Sequence, residues 1–379
     1  MARYDFLDLK KANEPYLDEL REAALRVIDS GRYIGGEEVE ALEAEIGAMM
    51  HAPYVVGVSN GLDALRLTLR TWIINGRLHE GDEVIVAANT YIASILAITD
   101  AGLRPRPVEP DPFTLNLDTS RLEEALTPST RAIMPVHLYG RVCWDETLRD
   151  FVKEHRLLVI EDAAQSIGAR ATVAGLHGSD RSSALGDAGC LSFYPTKNIG
   201  ALGDAGAVVT HDEETAATVR ALANYGSDRR YHNIYRGFNC RLDPIQAAML
   251  RVKLRHTDEE NADRFARALA YEREITNPAV IKPAVSRHVV DQCWHQYVVR
   301  VPSERRDYFR SELLNRGVAT DIHYAVPPHR QPCYADTLGK ERFPITEQLV
   351  SEVVSLPVGP GTSVADAAEI GRIINTISL

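Results

Sequence analysis

The chain has 379 residues, 45% of them hydrophobic and 25% charged, which is ordinary globular usage and sets extended disorder aside. Its formal charge of −11 leaves no basic field for a nucleic-acid backbone, while a local cationic pocket for a phosphorylated small molecule stays open. Five cysteines with no Cys-x-x-Cys pair indicate neither a disulfide framework nor a zinc ribbon, and suit a reducing cytoplasm.

The start, Met1-Ala2-Arg3-Tyr4-Asp5, carries charge where a signal peptide has an apolar run. Asn13-Glu14-Pro15 predicts a helix start, with Asn13 as cap and proline in the first turn, where its missing N–H costs little. Leu17, Leu20, Ala24, Val27 and Ile28 form its apolar stripe, and Gly31 is the stop. A second amphipathic helix uses Val39, Leu42 and Ile46, and the turn Gly31-Arg32-Tyr33-Ile34-Gly35-Gly36 joins the two.

From residue 54 the pattern becomes strand then helix, repeated. Residues 54–58 read as a buried strand, Ser59-Asn60-Gly61 as a turn, and Leu62, Leu65, Leu69 and Ile73 as one face of a helix. Further strands are expected at 83–87, 132–136, 157–160, 190–194 and 207–210, mostly separated by helical patterns such as 147–155. The apolar stretch 84–99 is broken by Asn89 and Thr90 and is too short for a membrane span. This alternation predicts an α/β fold: a large, mainly parallel sheet with helices on both faces.

Near residue 250 the character shifts. A polar helix over 257–274, a strand within 293–301, a helix over 303–316 stopped by Gly317, and a capping box at Ser363-Val364-Ala365-Asp366 opening a last helix predict a smaller α+β unit. The expected division is a large domain over 13–250 and a small one over 251–379, with residues 1–12 a candidate to join the latter.

Three places carry possible chemistry. The apolar run before Glu161-Asp162-Ala163-Ala164-Gln165 delivers Asp162 to a strand's carboxyl end, where a buried acid needs a positive partner. A protonated ring nitrogen would serve, as would an arginine or the next helix. Asn60-Gly61-Leu62 joins a strand to a helix N-terminus, whose free N–H groups and dipole favour an anion such as phosphate. Asp63 sits awkwardly close to such a phosphate unless it points away or caps its own helix. Lys197 lies just beyond the strand 190–194, a solvated surface residue or a nucleophilic amine. Pyridoxal 5′-phosphate needs a lysine, an acid for its pyridinium nitrogen and a phosphate cradle, and the three places supply one of each.

At this point a resemblance becomes specific. Ser30 to Gly36, Asn60-Gly61-Leu62-Asp63-Ala64-Leu65, Asn89-Thr90-Tyr91, Val136-His137-Leu138-Tyr139-Gly140, Glu161 to Gln165, Ser192-Phe193-Tyr194-Pro195-Thr196-Lys197-Asn198, Gly237 to Ala248 and Asp321-Ile322-His323-Tyr324 run in order over nearly the whole chain. In these motifs the chain resembles the DegT/DnrJ/EryC1/StrS family of sugar-nucleotide aminotransferases, within the aspartate-aminotransferase (fold type I) class of pyridoxal-phosphate enzymes.

The resemblance implies that Lys197 bonds the cofactor and shuttles the proton, Asp162 holds the pyridinium, Gln165 meets the ring's phenolic oxygen and Tyr91 stacks on the ring. Ser192 with the backbone amides of Gly61 and Leu62 would hold the phosphate, and Asn239 would reach it from a neighbouring subunit, which implies a homodimer with shared sites. Tyr33, His323 and Tyr324 fall where the family meets the sugar nucleotide. L-Glutamate is the implied amino donor, with pyridoxamine 5′-phosphate as the intermediate form. The Asn60 to Leu65 loop resembles the branch that aminates the third carbon of a 6-deoxy-3-ketohexose on thymidine diphosphate; amination at the fourth carbon is the alternative. Leu62 stands where many relatives carry a hydroxyl, and Ala205 where a glycine is frequent.

Other classes find less support. A dehydratase on the same fold carries a histidine in place of Lys197, and a non-catalytic sensor has no use for Lys197, Asp162 and Gln165 together. His323 and His329 lack a third metal ligand at standard spacing. Neither Gly-x-Ser-x-Gly nor a dinucleotide fingerprint is present.

Overall fold

The computed structural model describes residues 3–285 and 291–379. Met1 and Ala2 of the charged start lie outside them. Seven strands form the main sheet: β1 Tyr54–Val58, β2 Glu83–Ala87, β3 Arg104–Val108, β4 Thr130–Met134, β5 Leu158–Asp162, β6 Ala188–Ser192 and β7 Gly206–Thr210. Their order is β1-β7-β6-β5-β4-β2-β3. Pairs β2–β3, β2–β4, β4–β5 and β5–β6 are parallel, and β7 is antiparallel to both β1 and β6. Six strands therefore share one direction, and their carboxyl ends lie along one edge.

Burial on both faces follows from the residues. Val84 and Val86 belong to one apolar cluster with helices Gly61–Ile74 and Ile92–Asp100, while Ile85 and Ala87 belong to another with helix Glu146–His155. Helices Glu37–Met50 and Pro244–Leu254 cover Val55, Ala207 and Val209 on that second face. Successive strand residues point to opposite faces, so an apolar run without alternation needs helices on both sides.

Several boundaries differ from expectation. Asn13 caps nothing: Asp8 accepts the N–H groups of Lys10 and Lys11 and starts a short helix Leu9–Asn13, which a single 3-10 turn, Glu14–Tyr16, links to helix Leu17–Ser30. Gly31, with φ 65°, does end that helix. Strand β3 is unpredicted because Pro105 and Pro107 argue against a ladder; it sits at the sheet's edge, where an absent N–H leaves nothing unpaired. Strand β6 ends two residues early at Ser192, since Phe193 is apolar as a core residue beyond the ladder.

A hairpin of β8 Ser227–Arg229 and β9 His232–Asn233 leads on to a second core, built on β10 Tyr297–Arg300 paired with β11 Val353–Leu356. Helices Thr257–Glu274, Arg306–Asn315 and Val364–Asn375 close it, the last through the expected Ser363–Asp366 capping box. Tyr4 is buried in this core, its N–H bonded to Gly317 O at 2.8 Å. Among the described residues no helix is long and apolar enough to cross a membrane.

Candidate active site

Asp162 closes β5, and its neighbour shows why the strand is held there. Glu161 is fully buried and accepts the N–H groups of Ser183 at 2.8 Å, Leu185 at 2.8 Å and Gly186 at 2.9 Å. His137 Nε2 lies 2.8 Å from the same carboxylate, and its Nδ1 takes the Cys143 N–H at 3.0 Å, so Nε2 carries the proton. Strand alternation then turns Asp162 to the other face, into a cavity of about 500 Å³ at the carboxyl edge of the sheet. Its Oδ1 accepts from Ala164 N–H at 3.2 Å and its Oδ2 from Ser94 Oγ at 2.7 Å. No arginine pairs with it among the described residues, and a turn rather than a helix follows it.

The turn after β1 meets the end of β6 across the cavity floor. Asn60 caps helix Gly61–Ile74 by accepting Asp63 N–H at 2.8 Å, while its carbonyl takes Ala64 N–H at 3.1 Å. The N–H groups of Gly61 and Leu62 have no partner in the helix and suit an anion. A β-carbon on Gly61 would stand 2.6 Å from Ser192 Cβ, so only glycine lets the two phosphate candidates come this close. Asp63 is bound away from that spot: Arg66 lies 2.6 Å from it, and Ser59 Oγ and Asn60 Nδ2 donate to its carboxylate. Ala205 fits without strain, its carbonyl accepting Phe193 N–H at 2.8 Å.

Lys197 follows β6 in a turn closed by its own N–H to Tyr194 O at 2.8 Å. Two groups brace that turn from behind. Buried Lys253 donates to Gly200 O at 2.6 Å, and Asn198 Nδ2 donates to Cys293 O at 2.9 Å and to Asn261 Oδ1 at 2.9 Å. The Lys197 side chain enters the cavity with Asp162, Gly61, Leu62 and Ser192. Burial pushes its ammonium down to about 8, against a smaller upward pull from the Asp162 charge. An appreciable fraction of the amine is therefore uncharged near neutral pH.

Gln165 Oε1 accepts Tyr139 N–H at 2.6 Å and its Nε2 donates to Tyr324 Oη at 2.8 Å, which leaves one N–H of the amide unassigned. The rings of Tyr91 and Tyr324 lie 4.8 Å apart at the mouth. His323 borders the cavity, hydrogen-bonded through Nδ1 to Ser355 Oγ at 2.8 Å, and burial lowers its affinity for a proton.

Two polar lining residues escaped the sequence reading, His295 and Gln296. They are the polar pair in an otherwise apolar run, Trp294 to Val299, which is the only mark they leave in the sequence. Tyr33 and Asn239 are exposed and do not line the cavity of their own chain. His329 does not line it either; it is buried against Glu347 and Phe343. A larger, more open groove of about 640 Å³ beside helix Glu37–Met50 contains none of the site residues.

An amine, an acid and an N–H cradle with a hydroxyl, all lining one cavity, are the donor set that pyridoxal phosphate requires, and the close approach of Gly61 and Ser192 tolerates no side chain at the cradle. Comparison with known proteins agrees. The chain is 44% identical over 376 residues to dTDP-3-amino-3,6-dideoxy-alpha-D-galactopyranose transaminase of Aneurinibacillus thermoaerophilus, covering 98% of each chain. It is 44% identical to dTDP-3-amino-3,4,6-trideoxy-alpha-D-glucose transaminase of Streptomyces venezuelae, over 94% of this chain and 92% of that one. The structure of S. venezuelae DesV in complex with a ketimine intermediate superposes with a TM-score of 0.91 at 42% identity, over 99% and 98% of the two chains. The family model of DegT/DnrJ/EryC1/StrS aminotransferases matches residues 16–375, and the chain belongs to that family.

Proposed function

We propose that the protein uses pyridoxal phosphate to transfer an amino group from L-glutamate to the third carbon of a keto sugar on thymidine diphosphate, giving a dTDP-3-amino-3,6-dideoxyhexose. The observation that carries the reading is the convergence of Lys197, Asp162 and the Gly61–Ser192 cradle on one cavity. Relatives 44% identical and named for 3-amino sugars support the carbon position.

Bound, the cofactor supplies an electron sink that takes up an amino group from one substrate and returns it to the next. The protein's residues bind, orient and move protons. Lys197, partly uncharged near neutral pH, would hold the cofactor through its amine and would take and return the proton at the exocyclic carbon. Asp162 holds the proton on the ring nitrogen, Gln165 gives its unassigned N–H to the phenolic oxygen, and Tyr91 is the stacking ring. Ser192 and the N–H groups of Gly61 and Leu62 bind the phosphate. His323 and Tyr324 face the sugar nucleotide.

The exposure of Asn239 and Tyr33 supports a homodimer in which each reaches the partner's cavity, Asn239 toward the phosphate and Tyr33 toward substrate. A cytoplasmic enzyme of two domains, 13–250 and 251–379, with the N-terminal lead joining the second through Tyr4, belongs to the same reading.

A panel of 3-keto and 4-keto nucleotide sugars with glutamate, read by product mass, tests it. Amination of 3-keto substrates is expected, and amination of 4-keto substrates alone would overturn the carbon assignment. If a visible cofactor band forms and glutamate leaves it unbleached, the reading of a glutamate-dependent aminotransferase fails.

A further inference from the structure

We infer that Ser94 and Thr90 are positioning residues for Asp162, a relay of two hydroxyls that aims its carboxylate at the cofactor's ring nitrogen. Ser94 is fully buried in the first turn of helix Ile92–Asp100, and Thr90, just before that helix, is 1% exposed. Ser94 Oγ donates to Asp162 Oδ2 at 2.7 Å, and Thr90 Oγ1 lies 2.7 Å from Ser94 Oγ. A hydroxyl has one proton. Because that of Ser94 goes to the carboxylate, Thr90 is the donor in the second bond.

With Ala164 N–H on Oδ1, the carboxylate is held from two sides, and the lone pairs left over face the cavity. Rotation about its last bond would break two hydrogen bonds in a buried site, where an unpaired donor is costly. The same short segment presents Tyr91 to the cavity, so one turn fixes both a ring surface and the direction of the acid. Hydroxyls that merely satisfied each other would not need the carboxylate; here the relay ends on it.

The inference rests on the pyridoxal-phosphate reading, and its test separates the two. Cofactor is titrated into the apo forms of wild type, Ser94→Ala, Thr90→Val and the double variant, reading the dissociation constant and the position of the visible band. Thr90→Val keeps the shape and removes only the hydroxyl. Loss of the Ser94 bond to an ionised group weakens cofactor binding roughly tenfold and moves the band, because the ring nitrogen loses a fixed partner. Thr90→Val shifts both in the same direction by less, and the double variant equals Ser94→Ala, since Thr90 acts only through Ser94.

An unmoved band in Thr90→Val and Ser94→Ala, or effects that add in the double variant, overturns the relay while leaving the cofactor reading intact. A wild type that forms no band overturns both. Should Ser94→Ala fold poorly, Thr90→Val decides alone.

Discussion

Gly61 and Ser192 approach so closely that a β-carbon on the first would stand 2.6 Å from the β-carbon of the second. They come from opposite sides of β7, one from the turn after β1 and one from the end of β6. Gly61→Ala must push either the helix start or the strand end outward, and both carry the proposed phosphate ligands. Overpacking of this kind costs roughly 1–3 kcal/mol of stability. A larger loss is expected in pyridoxal-phosphate affinity, at least tenfold by titration of the apo protein. Unchanged affinity would show that the cradle lies elsewhere.

Lys197 gives a pH dependence with a definite sign. Its folded value, near 8, lies below the ordinary 10.5 because burial disfavours the ammonium. Only the neutral amine reacts, so the rate at which apo protein captures pyridoxal phosphate climbs with pH through about 8 and then levels. Asp162 pulls the value upward, and Asp162→Asn therefore moves the midpoint to lower pH. Stopped-flow absorbance across the pH range reads both. A wild-type midpoint near 10 would contradict the burial of the amine.

How much of this was legible in the sequence depends on the residue. Strands β1 and β2 were readable to the residue because their apolar runs end in turns, and the polar helix Thr257–Glu274 because its period is clear. The reversed direction of β7 was not, since periodicity carries no sign, and β3 was hidden by its prolines. Asp162, Lys197 and the Gly61 turn were legible as strand-end chemistry. Asp63 made no sense alone, because Arg66 and Ser59, which hold it away from the phosphate, act through geometry that spacing does not show. Ser94 left no mark, a buried serine being common in any helix.

Glu161 makes the position of Asp162 a question of stability. Its carboxylate accepts three backbone N–H groups and the His137 imidazole, all in a site without water access. Glu161→Gln keeps the shape and replaces an acceptor oxygen by an NH₂ that faces donors. One or more of the four is left unpaired, at about 1–3 kcal/mol each. The midpoint in denaturant is expected to fall accordingly. Wild-type stability in this variant would mean the loop 183–186 relaxes freely.

His295 is held neutral by burial, and Asn198 decides which of its nitrogens carries the proton. The Asn198 amide spends its NH₂ on Cys293 O and Asn261 Oδ1, so its oxygen is what faces His295 Nδ1, 3.1 Å away. The imidazole must donate from Nδ1, and Nε2 keeps its lone pair. Burial, first, and the charges of Lys197, Arg264 and His323, after it, hold the ring's affinity for a proton well below that of an ordinary histidine. Its resonances are therefore expected to stay unmoved in an NMR titration through pH 6 to 7, about where free histidine changes charge. Asn198→Asp puts a carboxylate on Nδ1 and favours the imidazolium, so the ring should begin to titrate in that window. The same change sets an acid oxygen against Cys293 O and costs stability, which a melt separates from the titration. A wild-type His295 that titrates near its ordinary value would contradict the burial that holds the ring neutral.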